Sequence, residues 1–350
     1  MSRLNHALLP GLALLLIPQL LPGAETPFLP SESARGARTF TFYLENDFFG
    51  GTDRHYTNGL KLSWMFSDLT LWGRDGWRRD FLEKLPFVNA PEAQKNFGFA
   101  VGQNIYTPQD QDAFVPDPQD RPYAGWSYLE FTFLAKSETR ADTISFQVGM
   151  VGRHSYAQDL QRIVHEWIND SRPNGWEHQL HDEVGVNIVY ERKQRLHART
   201  LDGSLGLDFI PHLGVSLGNV QTYANAGATL RLGFNLPSDF GVQIIRPGGS
   251  GNSPIDDHDP RIARDRHWSL YVFASGDGRA VARDIFLDGN TFRDSPSVDK
   301  RPFVADLSYG VGFIHRRWQL TFTQVYRTRE FKAQPFAYNE FGSVTLSYAF

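Results

Sequence analysis

The stretch Gly342-Ser343-Val344-Thr345-Leu346-Ser347-Tyr348-Ala349-Phe350 decides the fold. Val344, Leu346, Tyr348 and Phe350 fall on one side of an extended chain, and Ser343, Thr345, Ser347 and Ala349 on the other. A strand with one apolar face and one small, polar face that stops on an aromatic residue is the pattern of the closing strand of a membrane barrel. Lipid takes one face there and the lumen takes the other. The pattern predicts an all-β protein, a transmembrane antiparallel β-barrel in the cell outer membrane.

The same alternation recurs along the chain. Ile144, Phe146, Val148 and Met150 alternate with Thr143, Ser145, Gln147 and Gly149. Phe40, Phe42 and Leu44 alternate with Thr39, Thr41, Tyr43 and Glu45, and Trp318, Leu320 and Phe322 with Gln319, Thr321 and Thr323. Twelve strands are expected near 39–48, 57–67, 96–106, 123–136, 141–153, 183–197, 204–218, 224–235, 267–283, 301–315, 317–328 and 340–350. An even count leaves both ends of the barrel on the periplasmic side and places the connections 49–56, 107–122, 154–182, 219–223, 284–300 and 329–339 outward. Two inward connections are longer than such a barrel usually carries: 68–95, with a helical look from Trp72, Trp77, Phe81 and Leu85, and 236–266, rich in Gly, Pro and Asp.

At the amino end, Arg3 and His6 precede the apolar run Leu8 to Leu21, followed by Pro22-Gly23-Ala24. This predicts a signal peptide over residues 1–24 and a barrel domain over 25–350. Pro10 and Pro18 interrupt the run, which falls short of a spanning helix. Aromatic residues make up 14% of the chain, in keeping with interfacial girdles, and Tyr123, Trp126 and Tyr128 read first as part of one. No cysteine is present, so disulfides and thiolate metal sites are excluded. A net charge of -4 gives no footing for nucleic acid.

Residues 158–168 do not alternate. Leu160, Ile163, Val164, Trp167 and Ile168 recur at helical spacing, with Ser155 as a cap before them and Pro173 after. This short helix falls in the third outward, extracellular loop. Three polar clusters lie at the same end of the barrel: Glu45-Asn46-Asp47 through Thr57-Asn58-Gly59, Asp120 through Trp126, and the loop helix followed by Asn174-Gly175-Trp176. Their convergence predicts one site at the outer rim.

Glu45, Asp47 and Asp53 offer hard oxygen ligands of the kind Ca²⁺ takes, although Asp flanking a Gly-Gly turn is also ordinary turn chemistry. His165 can act as a general base near neutral pH or be a solvated surface histidine. Gln161 lies four residues before it, on the same helical face, and can donate to an oxyanion or hold a water. Thr57 can serve as a weak nucleophile or a donor. Asp120 and Arg121 read as a pair within the lumen.

These runs together resemble the outer-membrane lipid A 3′-O-deacylase family, over nearly the whole chain. The resemblance implies a twelve-stranded, Ca²⁺-dependent hydrolase that removes the ester-linked acyl group from the 3′ position of lipid A in lipopolysaccharide. It implies an Asn–Asp pair at Asn46 and Asp47, with Asp47 holding Ca²⁺. It also implies a Thr at Thr57 and a Gln–His pair at Gln161 and His165, the His activating water. A monomer is expected. Two places differ from the family pattern. The second outward loop is acidic, Gln109 to Asp117, where characterised members carry Lys and Arg, and Ser171 stands where they carry Glu, with Asp170 and Glu166 as possible substitutes. Two other readings remain: a phospholipase-like esterase with a hydroxyl nucleophile, and a non-enzymatic channel or structural barrel in which Asp47, Gln161 and His165 diverge in space.

Overall fold

A computed structural model of the chain describes residues 31–50, 55–69, 93–168, 173–202, 204–241, 244–246, 253–265 and 267–350. The segment expected as a signal peptide, the 70–92 part of the first long inward connection, Asp53, Asp170 and Ser171 lie outside these residues.

The chain forms thirteen strand segments: β1 Thr39–Asn46, β2 His55–Asp68, β3 Gln94–Thr107, β4 Ala124–Lys136, β5 Arg140–Val151, β6 Glu183–Gln194, β7 Leu196–Asp202, β8 Leu205–Gly218, β9 Gln221–Phe234, β10 Trp268–Asp284, β11 Phe303–His315, β12 Trp318–Thr328 and β13 Tyr338–Ala349. Each pairs antiparallel with its sequence neighbour, and β1 pairs with β13 from Thr39↔Ala349 to Asn46↔Gly342. Both β6 and β7 pair with β8, the first from Asn187↔Gly218 to Lys193↔His212 and the second from Leu196↔Phe209 onward. They are therefore one wall strand broken at Arg195, and the sheet closes as a twelve-stranded barrel.

The burial pattern is the reverse of a soluble protein's. Leu62, Phe99, Val101, Leu129, Phe146, Ile188, Leu230 and Leu320 stand exposed on the outside. Thr41, Lys61, Glu130, Ser145, Gln147 and Asn187 are buried inside. Charged and amide side chains are buried only when paired, and these are: Lys61 donates to Glu130 at 3.1 Å, Gln147 to Glu130 at 2.6 Å, and Asn187 to Gln147 at 3.1 Å. The terminal strand behaves as its alternation predicts, with Ser343, Thr345 and Ser347 buried and Leu346 and Phe350 outward. Phe350 packs edge-on to Trp64 at 5.2 Å and stacks with Tyr348 at 5.8 Å, an aromatic cluster at the end of the barrel that carries the C-terminus. No helix among the described residues is long and apolar enough to cross a membrane.

Two expectations are corrected. Tyr123, Trp126 and Tyr128 do not belong to a girdle; all three are buried and face inward. Strand alternation ties Trp126 and Tyr128 to Glu130, and a carboxylate at that depth has to face the lumen. Asp120 and Arg121 do not pair through their side chains. Arg121 is fully buried, donates to Glu330 at 3.1 Å and lies over the Tyr106 ring at 4.9 Å. Asp120 instead accepts from the backbone amides of Gln109 and Arg121, each at 2.7 Å.

The long inward connection after β9 turns up into the lumen. Phe240 and Ile255 pack there with Met65, Leu134 and Ile210. Arg231 bonds Asp208 and Asp239, Arg261 bonds Asp239 and Asp259, and Lys136 donates to Ser253 and to the Pro254 carbonyl. The connection is long because it fills the barrel.

Candidate active site

The outer end of β1 carries Glu45, Asn46 and Asp47. Glu45 and Asp47 are buried, 0% and 2% exposed. Asn46 is the last residue of β1 and pairs with Asn58 on β2 and Gly342 on β13. Its Oδ1 accepts from the Phe48 amide at 2.8 Å, the local turn that Asn favours, and starts the 3-10 turn Asp47–Gly50. Glu45 is engaged at both oxygens: the Tyr56 hydroxyl donates to Oε2 at 2.8 Å and the Ile245 amide to Oε1 at 2.6 Å.

Thr57 lies one residue beyond the Asn46↔Asn58 pair, at a bulge: β2 pairs with β3 through Tyr56↔Tyr106 and Asn58↔Ile105, skipping Thr57. A bulge re-aims a strand and is common beside functional sites. The Thr57 side chain lies outside the described residues.

The loop helix spans Ala157–Ile168; it follows a short helix at Glu32–Gly36 and is here α2. It packs against β3 and β4. Gly125 admits it, since a Cβ there would stand 2.1 Å from Ser155 Oγ and 2.3 Å from the Ala157 Cβ. Ser155 Oγ accepts from the Ala157 amide at 3.4 Å, close to the expected cap.

The helix is rolled differently from its apolar stripe. Ala157, Gln161 and His165 are its buried face, while Ile163 is 40% exposed. Gln161 is held at both ends of its amide: Trp176 Nε1 donates to its Oε1, and its Nε2 donates to Gln111 Oε1, each at 2.8 Å. Trp176 packs on Tyr123 with centroids 4.7 Å apart. Gly175 has φ +84°, a left-handed turn that glycine adopts without strain, and a Cβ there would stand 3.0 Å from the Ala113 carbonyl. The Asn174 amide donates to the Gln111 carbonyl at 2.7 Å. The second and third outward loops thus close on each other around Gln161.

Asn46, Asp47 and Thr57 therefore stand at the outer ends of adjacent strands, and Gln161 and His165 sit on a helix laid over the next two. Gln111 and Trp176 were not singled out as site residues by sequence reasoning. The signals were two glutamines, Gln109 and Gln111, alternating with aspartates in the second outward loop, and a Trp after an Asn-Gly turn. Among the described residues, no three His, Asp or Glu side chains gather as metal ligands. Burial pushes the Asp120 carboxyl, in the outer loop, up from its ordinary value despite the two amides that bond it.

A search of curated protein sequences returned no match. Among solved structures, LpxR from Salmonella typhimurium aligns with a TM-score of 0.70 at 17% identity, over 89% of this chain and 99% of that one. The toluene transporter TodX of Pseudomonas putida aligns with a TM-score of 0.29 at 8% identity, over 89% of this chain and 87% of that one. The sequence profile of the family described as outer membrane protein LpxR matches residues 11–350. The chain belongs to the LpxR family of outer membrane proteins.

Proposed function

We propose that this barrel is a Ca²⁺-dependent ester hydrolase that removes the 3′-linked acyl chain of lipid A in the outer leaflet, working as a monomer. The observation that carries the reading is the roll of α2. A loop helix that leaves Ile163 exposed and buries Gln161 and His165 beside the half-buried Leu160 turns a polar face inward at the outer rim. The same rim carries the buried Asp47. The lumenal segment favours an enzyme over an open channel.

Asp47 suits a hard cation: one buried carboxylate beside the backbone carbonyls of a 3-10 turn, with Glu45 already committed elsewhere. Asp47, those carbonyls and water would hold Ca²⁺, which would supply charge stabilisation at an ester carbonyl. His165 takes a proton from water as its oxygen attacks the carbonyl carbon. The bond from that carbon to the sugar oxygen then breaks, and His165 returns the proton to the sugar oxygen, leaving a fatty acid and a free hydroxyl. The Asn46 amide and the second N–H of Gln161 Nε2 are the donors to the developing oxyanion. Thr57 at the bulge is a further donor.

The test is mass spectrometry of lipid A from cells with and without the protein. Loss of one acyloxyacyl group only in cells that make it is expected. A general base contributes ~10²–10⁴-fold in rate, so His165→Ala should retain at most about a hundredth of the activity, with its heat-modifiable gel mobility intact. Chelation should abolish activity and Ca²⁺ restore it. An active His165→Ala with an inactive Thr57→Ala, or an acyl-enzyme trapped on Thr57, would replace water with a hydroxyl nucleophile.

A further inference from the structure

We propose that Glu45 is a positioning residue for the outer-rim chemistry, and that it is held in place from inside the barrel by the lumenal segment; this rests on the hydrolase reading above. The segment that enters from the inner side reaches the outer end of β1. Ile245 donates its amide to Glu45 Oε1 at 2.6 Å, and the next residue, Arg246, pairs with Glu191 at 2.9 Å. Glu45 passes the constraint on. Its Oε2 accepts from the Tyr56 hydroxyl at 2.8 Å, and Tyr56 is the residue immediately before the Thr57 bulge.

The arrangement needs Gly59. A Cβ there would meet the Tyr56 hydroxyl at 2.2 Å and the Ile245 Cδ1 at 3.0 Å, so only glycine lets the Tyr56 ring fold down to Glu45. Tyr56 is then clamped by Phe341 at 5.0 Å and Tyr106 at 5.5 Å. Glu45, Tyr56 and Ile245 are all buried. The chain Ile245–Glu45–Tyr56 therefore fixes the β1 end and the β2 bulge relative to each other. Asn46, Asp47 and Thr57 are the residues those two points carry, and a site loosened by about an ångström can lose ~10²-fold in rate.

The experiment compares Glu45→Ala, Glu45→Gln and Tyr56→Phe for hydrolysis of purified lipid A in detergent, and for amide hydrogen exchange of the 46–59 peptide. Glu45→Ala is expected to lower kcat about tenfold or more with KM within about twofold, and to speed exchange of that peptide. Glu45→Gln keeps an acceptor for the Ile245 amide and a partner for the Tyr56 oxygen, so it should recover most of kcat and of the protection. Losses in Glu45→Ala/Tyr56→Phe should fall short of the product of the single losses. Glu45→Gln as inactive as Glu45→Ala would mean the charge acts directly, and the positioning role would be wrong. Independent, multiplying losses, or unchanged exchange, would overturn it as well. Wild-type protein that leaves lipid A intact defeats the hydrolase reading alone, because hydrogen exchange still decides whether the chain holds the rim.

Discussion

At the scale of single residues, the most demanding group outside the proposed catalytic set is Arg121. It is wholly buried, with Glu330 as its ionic partner at 3.1 Å and the Tyr106 ring beneath it. Removing one partner of a buried pair costs about 3–5 kcal/mol when the other is left uncompensated; here Arg327, 3.6 Å from the other Glu330 oxygen, and the Asn339 amide offset part of that. Arg121→Met should therefore lower the temperature at which the barrel loses its gel mobility shift, and Arg121→Met/Glu330→Gln should recover much of the loss. If the double variant were worse than the single, the pair would not be what holds the β4 start to the loop before β13. From sequence, Arg121 reads as a partner of Asp120 because adjacent opposite charges suggest a pair. Both lie in the irregular stretch before β4, where the Asp120 carboxylate is taken up by the Gln109 and Arg121 backbone amides and the Arg121 guanidinium reaches the distant Glu330.

At the scale of elements, α2 and the lumenal segment decide the site. Gly125 is the seat of α2, and Gly125→Val should displace the helix because a Cβ would stand 2.1 Å from Ser155 Oγ. Activity should fall at least about tenfold while the gel shift persists; full activity would show that α2 does not need that seat. The lumenal segment is anchored by Asp239. Burial by itself would raise the Asp239 carboxyl, but the Arg231 and Arg261 guanidiniums hold it below its ordinary value. A carboxyl lowered on folding adds stability above its unfolded value of ~4 and loses it as pH falls through the folded value. Thermal stability should therefore stay level from neutral pH to about 5 and decline below about 4. Asp239→Asn should lower the neutral value and flatten the acid decline, as read by the temperature of the gel-shift transition; an unchanged acid limb would remove Asp239 from the account.

Much of the element pattern was legible in the sequence. Alternation is strong where lipid rewards one face and water the other, so strands such as β5 and β13 stood out. Strand parity then carried Asn46, Asp47, Gln161 and His165 to one rim without any contact being known. Three things were not legible. The phase of β4 is ambiguous, since Trp126 and Tyr128 lie on one side and Leu129 and Phe131 on the other, and both sides look apolar. The roll of α2 departs from its apolar stripe: Leu160 packs on Ile105, Tyr123 and Trp176, but Gln161 is turned inward by its bonds to Trp176 and Gln111 and Ile163 is left outside. The path of residues 236–265 depends on a lumen that exists only once the wall has closed.

At the scale of the whole molecule, that closure has a particular address. The ring is completed where β1 meets β13, strands that are neighbours in space and about as far apart as possible in sequence. Asn46 lies in that junction, opposite Gly342 in the strand register, and the turn bearing Asp47 packs against β13. On the hydrolase reading proposed above, the zipper of this barrel is also its workbench. A wall still open at that line has no floor beneath Asp47, so on that reading a partly inserted chain should be silent toward lipid. Hydrolysis, wherever it is detected, reports a finished ring.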